Sequence, residues 1–202
     1  LSMLAIPLPF VAALLLFMIG ILLRYRYLQN SQKPFWFTIL CALMITVVGL
    51  RWTLDIAFFR FLQPILGAII PVTAWFCFAE AHRNKANTYL HWLGPVIVLV
   101  SSLMYQNIWS GSVDVLLISL YLGYGYLLLK SSFNIPEQVR LTDVSKVLIA
   151  ERVTGLLLLF SALVDGVLFF DILVLNAQHI NLILTIGYLF FIPAIVIGVI
   201  VV

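Results

Sequence analysis

The chain has 202 residues, of which 64% are hydrophobic and 9% are charged, and its formal net charge is +3. Ordinary soluble domains contain roughly half apolar and about a quarter charged residues, so this composition excludes a water-soluble core and indicates lipid as the solvent. A spanning helix needs about 20 apolar residues. The length therefore accommodates about seven spans and excludes a separate soluble catalytic or nucleic-acid-binding domain.

Apolar runs broken at charge clusters divide the chain into seven predicted transmembrane helices. The predicted spans lie near residues 3–23, 35–54, 59–79, 90–106, 112–130, 149–174 and 180–202. Ahead of the sixth span, Thr142 or Asp143 could cap a helix that continues into that span. The predicted fold class is all-α: a polytopic membrane protein whose residues 1–202 form one seven-helix bundle.

The basic residues predict the orientation of this bundle. The loops after the first, third and fifth spans face one side and hold nine of the eleven Lys and Arg residues: Arg24, Arg26, Lys33, Arg83, Lys85, Lys130, Arg140, Lys146 and Arg152. Arg51 and Arg60 lie on the opposite side. Because loops rich in Lys and Arg stay in the cytoplasm, we expect the amino terminus outside and the carboxy terminus inside.

Polar side chains within the predicted spans gather towards the outer face. Charged groups at membrane depth are costly, so they usually face the bundle interior or a water-filled cavity. The candidate ligand-binding residues are Arg51, Asp55, Arg60, Gln63, Asp114, Tyr121, Asp165, Asn181, Thr185 and Tyr188. If they converge, they form a mildly acidic pocket that suits a small polar or cationic ligand. The alternative is that the charged members pair with one another and fix helix register. Arg51 and Asp55, for example, are four residues apart, so they can lie on one helical face and pair.

Several kinds of chemistry are missing from the sequence. All four lysines lie in predicted cytoplasmic loops, so no Schiff base to retinal can form in the last span. Motifs for metalloproteases, phosphate loops and nucleophile elbows are missing, and Cys41 and Cys77 lie in apolar runs as packing residues. We therefore expect no catalytic residue, no metal site and no cofactor.

Two other functions stay open at this stage. A small transporter would carry a midplane site on kinked helices, and Pro64 and Pro71 could supply such kinks in the third span. An intramembrane enzyme of the aspartate type would need a second carboxylate beside Asp165, which Asp114 or Asp171 could provide.

Four segments of the chain, Gly49–Asp55, Arg60–Leu66, Ile70–Phe78 and Leu156–Asp165, resemble the membrane-embedded amino-terminal region of bacterial AraC-type transcriptional regulators. The resemblance covers most of the chain. It implies a one-component sensor of the bacterial inner membrane, in which a cytoplasmic helix-turn-helix domain follows the last span. The chain stops within the apolar run Ile195–Val202, so we expect it to be part of a longer protein.

The expected partners come from the composition as well as from this resemblance. The bundle would contact the lipid bilayer, a small-molecule or membrane signal, and a second copy in a homodimer. DNA would be reached only through the carboxy-terminal domain that this chain lacks.

Overall fold

A computed structural model describes residues 8–26, 33–54, 56–78, 85–104, 111–133, 144–176, 178–180, 182–187 and 189–191. Within these ranges the regular structure is helical and contains no strand, which confirms the predicted all-α class. The described residues form seven α-helices: α1 (Leu8–Arg26), α2 (Lys33–Leu54), α3 (Ala57–Phe78), α4 (Leu93–Leu103), α5 (Ser112–Ser131), α6 (Val144–Val174) and α7 (Leu182–Phe191). A 3-10 helix, Lys85–Trp92, precedes α4.

Prolines act differently in α3 and α4. Helix α3 continues through Pro64 and Pro71 without a break. In the fourth helix, α-helical structure begins only at Leu93, two residues before Pro95. A proline lacks the N–H that an interior helical bond needs, so it is best tolerated in the first turn.

The sixth helix is a single rod of 31 residues, about 46 Å long at the normal α-helical rise. The sequence predicted that a helix ahead of the sixth span continues into that span, and α6 is indeed continuous from Val144 onward. The suggested caps Thr142 and Asp143 lie outside the described residues. At its other end, Leu175 N–H donates to the Asp171 carbonyl at 3.0 Å and Asn176 adopts a left-handed φ of 53°, which ends the helix.

Helix α3 lies at the centre of the bundle, where it contacts α2, α4, α5 and α6. The main core forms between α3, α5 and α6 and contains Ile70, Val72, Ala74, Tyr121, Tyr124, Leu128, Leu158 and Ala162. A smaller core of Ala68, Val98 and Val113 joins α3, α4 and α5. Helix α1 packs against α2, and α7 packs against α6 through Phe160, which lies 5.2 Å from the Phe191 ring.

Apolar side chains also cover much of the outer surface. On α1, the exposed residues include Leu14, Phe17, Met18 and Ile21. Three stretches of the described chain are long and apolar enough to cross a membrane: α3, α5 and Leu148–Val174 within α6. The remaining apolar helices are shorter over the described residues.

Candidate functional site

Arg51 and Gln63 form the first part of the candidate site. Arg51 lies in the last turn of α2 and Gln63 in the second turn of α3, which begins three residues after α2 ends. This short connection reverses the chain and brings the two turns side by side. Arg51 Nη1 donates a hydrogen bond of 2.6 Å to Gln63 Oε1. The sequence predicted Asp55 as the partner of Arg51, but Asp55 lies outside the described residues.

Asp114 adds a carboxylate to this pair. It lies in the first turn of α5, and its charge interacts favourably with that of Arg51. The packing of α5 against α3 explains the approach, because Val113 shares the smaller core with Ala68, about one turn along α3 from Gln63. Three helices therefore contribute to one electrostatic group.

Asp165 of α6 is the second carboxylate of the group. Helices α5 and α6 approach closest where Gly125 meets Gly155, since a Cβ at Gly125 would lie 3.1 Å from the Gly155 carbonyl oxygen. Asp114 lies eleven residues before Gly125 and Asp165 ten residues after Gly155, so antiparallel packing places both at nearly the same level. The negative charges of Asp114 and Asp165 repel each other.

Tyr121 lies beneath the carboxylates on the buried face of α5. Its side chain is only 7% exposed and belongs to the main core. The phenol interacts electrostatically with Asp165.

The two carboxylates can be reached from outside the bundle. Both Asp114 and Asp165 have accessible side chains, but surrounding protein atoms desolvate both carboxylates. A small molecule could therefore reach these oxygens without unfolding the bundle.

Half of the ten predicted site residues meet in this group, which we name the outer cluster: Arg51, Gln63, Asp114, Tyr121 and Asp165. Two others, Arg60 and Thr185, are exposed, and each has an interaction partner. The remaining three, Asp55, Asn181 and Tyr188, lie outside the described residues. Ligand binding by the outer cluster stays a prediction.

A second polar group, which sequence reasoning missed, lies at the opposite end of the bundle. The hydroxyl of Tyr124 and Nδ1 of His91 are 2.9 Å apart, and the His91 ring lies 5.9 Å from the ring of Trp75 and 5.6 Å from that of Phe76. Glu151 of α6 is also fully buried, at 0% exposure. The sequence offered one signal for Glu151: together with Thr154 and Leu158 it follows helical spacing, on one buried face of α6.

Asp171 of α6 has a structural role. Its Oδ2 accepts from the His179 backbone N–H at 3.0 Å and its Oδ1 lies 3.1 Å from His179 Nδ1. These contacts stabilise the turn between α6 and α7. Among the described residues, this leaves Asp114 as the neighbour of Asp165.

Comparisons with protein-family models, with curated proteins and with solved structures gave no match to this chain. The outer cluster can nevertheless be described chemically. The Arg51 guanidinium donates hydrogen bonds, two carboxylates accept them, and the Tyr121 hydroxyl can do either. Such a set can bind a small molecule that carries positive charge and hydrogen-bond donors.

Proposed function

We propose that this chain is the signal-input domain of a membrane-bound regulator, and that it has no enzymatic activity. The outer cluster is the site that receives the signal, a small polar or cationic molecule. The observation that carries this proposal is the convergence of Arg51, Gln63, Asp114 and Asp165 from four different helices. A molecule bound there would contact all four helices at once.

The proposed location is the bacterial inner membrane, crossed several times. The apolar outer surface supports this location, because a soluble protein rarely exposes large contiguous apolar patches. The proposed orientation, with the amino terminus outside and the carboxy terminus in the cytoplasm, is supported by the nine basic residues in alternate loops. Fusions of alkaline phosphatase and green fluorescent protein to the loops test it, since each reporter works on only one side.

Signal transmission would occur by a shift between two helix packings. A ligand changes such an equilibrium only if it binds one packing more tightly than the other, and complete switching requires a difference of about 10⁴-fold in affinity. Helix α6 is suited to carry the change. It holds Asp165 near one end and extends without interruption to Arg152 and beyond at the other.

The proposed output is a cytoplasmic helix-turn-helix domain, and this part rests on the resemblance to AraC-type regulators. The gene sequence after Val202 tests it cheaply. A helix-turn-helix segment there is the expected finding, and a stop codon would remove the support for a DNA-binding output.

A transcription reporter in intact cells tests the input site. In the full-length protein, we expect Asp165→Asn and Arg51→Ala each to change the reporter signal, because both remove a charge from the outer cluster. Ser119→Ala on α5 is the control, since among the described residues its hydroxyl donates only to the Val115 carbonyl of its own helix, at 2.7 Å. Unchanged signalling in both cluster variants, with normal membrane levels, would refute the proposed site.

The interaction between Asp114 and Asp165 also favours a second candidate, an intramembrane hydrolase with an aspartate pair. Paired carboxylates that share one proton can act as general acid and base. This function requires both residues, so Asp114→Asn and Asp165→Asn should each abolish cleavage of a transmembrane peptide library in vesicles. Absence of cleavage by the unmodified protein would exclude this candidate and leave the sensor proposal intact.

A further inference from the structure

We infer that the end of α5 and the neighbouring part of α6 bind one anionic phospholipid, with Lys130 and Arg152 contacting its phosphate and exposed apolar side chains contacting its acyl chains. This site is separate from the outer cluster. The inference goes beyond the proposed signal-input function and rests only on the proposed membrane location. It depends on the contacts of Arg152, on the position of Lys130 and on the apolar surfaces beside them.

Arg152 of α6 is fixed at the carboxyl end of α5 by two contacts. Its Nη2 donates a hydrogen bond of 3.3 Å to the Ser132 carbonyl oxygen. Its Cζ lies 5.4 Å from the centroid of the Phe133 ring. The side chain is nevertheless exposed. A side chain that is already ordered loses less conformational entropy when a ligand binds, so this arginine is prepared for an anion.

The contacts of Arg152 leave hydrogen-bond donors for a ligand. A guanidinium has five N–H groups, and within the described chain Arg152 forms one hydrogen bond, to Ser132. A planar guanidinium can pair with two oxygens of one phosphate. Arg152 can therefore bind a phosphate while it keeps its contacts with α5. A purely structural role, in which its charge caps the carbonyl end of α5, would require Arg152 alone.

Lys130 adds a second positive charge to this place. The Phe133 N–H donates to the Lys130 carbonyl oxygen at 3.4 Å, and residues three apart in such a turn lie on one helical face. The ring of Phe133 therefore has Lys130 beside it on α5 and Arg152 over it from α6. Among the described residues, no carboxylate pairs with either cation. Because like charges repel, the two cations favour an anion between them.

Exposed apolar surfaces continue from both cations. On α5, Tyr126 and Leu122 precede Lys130 at intervals of four residues and are 61% and 47% exposed. On α6, Leu156 lies four residues after Arg152 and is 57% exposed. Residues four apart share a helical face, so each cation lies at the end of an apolar stripe. This arrangement matches a phospholipid, whereas a soluble phosphate ester would use only the cations.

The proposed orientation adds charge complementarity. It places this site in the cytoplasmic leaflet, whose surface is negative because it contains anionic lipids. Basic pockets between membrane helices on that side bind anionic headgroups, and each Lys or Arg near the surface strengthens the attraction about fivefold. Phosphatidylglycerol, which carries one negative charge on its phosphate, is therefore a suitable probe.

Native mass spectrometry of the full chain, released from detergent micelles, tests the inference because it counts both bound lipids and copies of the chain. Dioleoylphosphatidylglycerol is the probe. Dioleoylphosphatidylcholine has the same acyl chains without net charge, and glycerol 3-phosphate has the phosphate without acyl chains. We expect one phosphatidylglycerol to bind at least about fivefold more tightly than phosphatidylcholine, and glycerol 3-phosphate not to bind at the same concentrations.

Substitutions at the two cations should weaken phosphatidylglycerol binding. We expect a loss of about fivefold for Lys130→Gln and for Arg152→Gln, because each removes one positive charge. Lys130→Gln breaks no side-chain contact within the described residues, so misfolding would not explain its loss. Arg152→Lys keeps the charge and should lose less than Arg152→Gln.

Arg24→Gln is the matched control for these variants. The Arg24 guanidinium also lies over a phenylalanine ring, with its Cζ 5.2 Å from the centroid of Phe35. It lies on the same proposed side of the membrane, but on α1. We expect Arg24→Gln to bind phosphatidylglycerol as the unmodified chain does.

Four outcomes would overturn the inference. These are equal binding of phosphatidylglycerol and phosphatidylcholine, equally tight binding of glycerol 3-phosphate, unchanged phosphatidylglycerol binding in Lys130→Gln, and an equal loss in Arg24→Gln. A dimer that Lys130→Gln dissociates, without lipid binding, would show instead that a second copy covers this surface. The reporter response of the outer cluster is measured separately, so loss of the lipid site would leave the proposed function intact. A stop codon after Val202 would remove only the regulator proposal.

Discussion

Arg51 and Gln63 are joined by a hydrogen bond of 2.6 Å between Nη1 and Oε1, which connects the end of α2 to the start of α3. We expect Gln63→Leu, which keeps the size of the side chain but removes the acceptor, to lower the free energy of unfolding by about 1.5–3 kcal/mol. Thermal unfolding in detergent micelles measures this change. Ser119→Ala is the control and should have the same unfolding midpoint as the unmodified chain. An unchanged midpoint in Gln63→Leu would contradict the prediction.

The contact between α5 and α6 depends on two glycines. A Cβ at Gly155 would lie 3.0 Å from Leu129 Cγ and 3.1 Å from the Gly125 carbonyl oxygen, and a backbone atom cannot move aside easily. We expect Gly155→Ala to destabilise the bundle by about 1–3 kcal/mol through overpacking.

The matched control for this glycine lies on the same helix. A Cβ at Gly166 would meet no atom within 4 Å, so Gly166→Ala should be neutral or stabilise by up to about 1 kcal/mol, because alanine favours the helix. Unfolding midpoints of the two variants test the pair. Equal midpoints would show that α5 and α6 do not approach as closely as described.

Tyr124 links α5 to the 3-10 helix through the 2.9 Å contact with His91 Nδ1. Tyr124→Phe keeps the ring and removes the hydroxyl, so we expect a loss of about 0.5–1.5 kcal/mol in unfolding free energy. Tyr126→Phe is the control, since the Tyr126 side chain is 61% exposed. The expected result is a lower midpoint for the first variant only, and the reverse order would reject the role of the hydroxyl.

Asp171 accepts hydrogen bonds from the His179 backbone and faces the His179 ring. Asp171→Ala should destabilise the turn by about 1–3 kcal/mol, because the His179 backbone N–H loses the buried carboxylate that accepts its hydrogen bond. His179→Ala removes only the ring contact and should cost less. Hydrogen exchange of the backbone amides in residues 175–183 provides the measurement. Slower exchange in Asp171→Ala than in His179→Ala would show that Asp171 does not stabilise the turn.

Parts of the fold followed from the sequence because they depend on local composition. Apolar runs separated by charged residues indicated the helices, although α4 begins at Leu93 rather than near residue 90 as predicted. The continuity of α6 from Val144 could also be anticipated. These features depend on residues close together in the chain.

The sequence identified only part of the candidate site. Helical spacing and the cost of buried charge selected Arg51, Gln63, Asp114 and Asp165, but the spacing within one helix suggested Asp55 as the partner of Arg51. The described partner, Gln63, comes from the next helix. His91 and Glu151 were not selected, because one lies in a 3-10 helix and the other near a predicted loop.

The sequence by itself determined that this protein is helical, that its surface is apolar, and which polar residues are costly to bury. These properties follow from the composition and period of single segments. Only the tertiary structure decided which of those residues meet. The close approach of Gly125 to Gly155 sets the level of Asp114 against Asp165, and such a register arises from side-chain packing between segments distant in the chain.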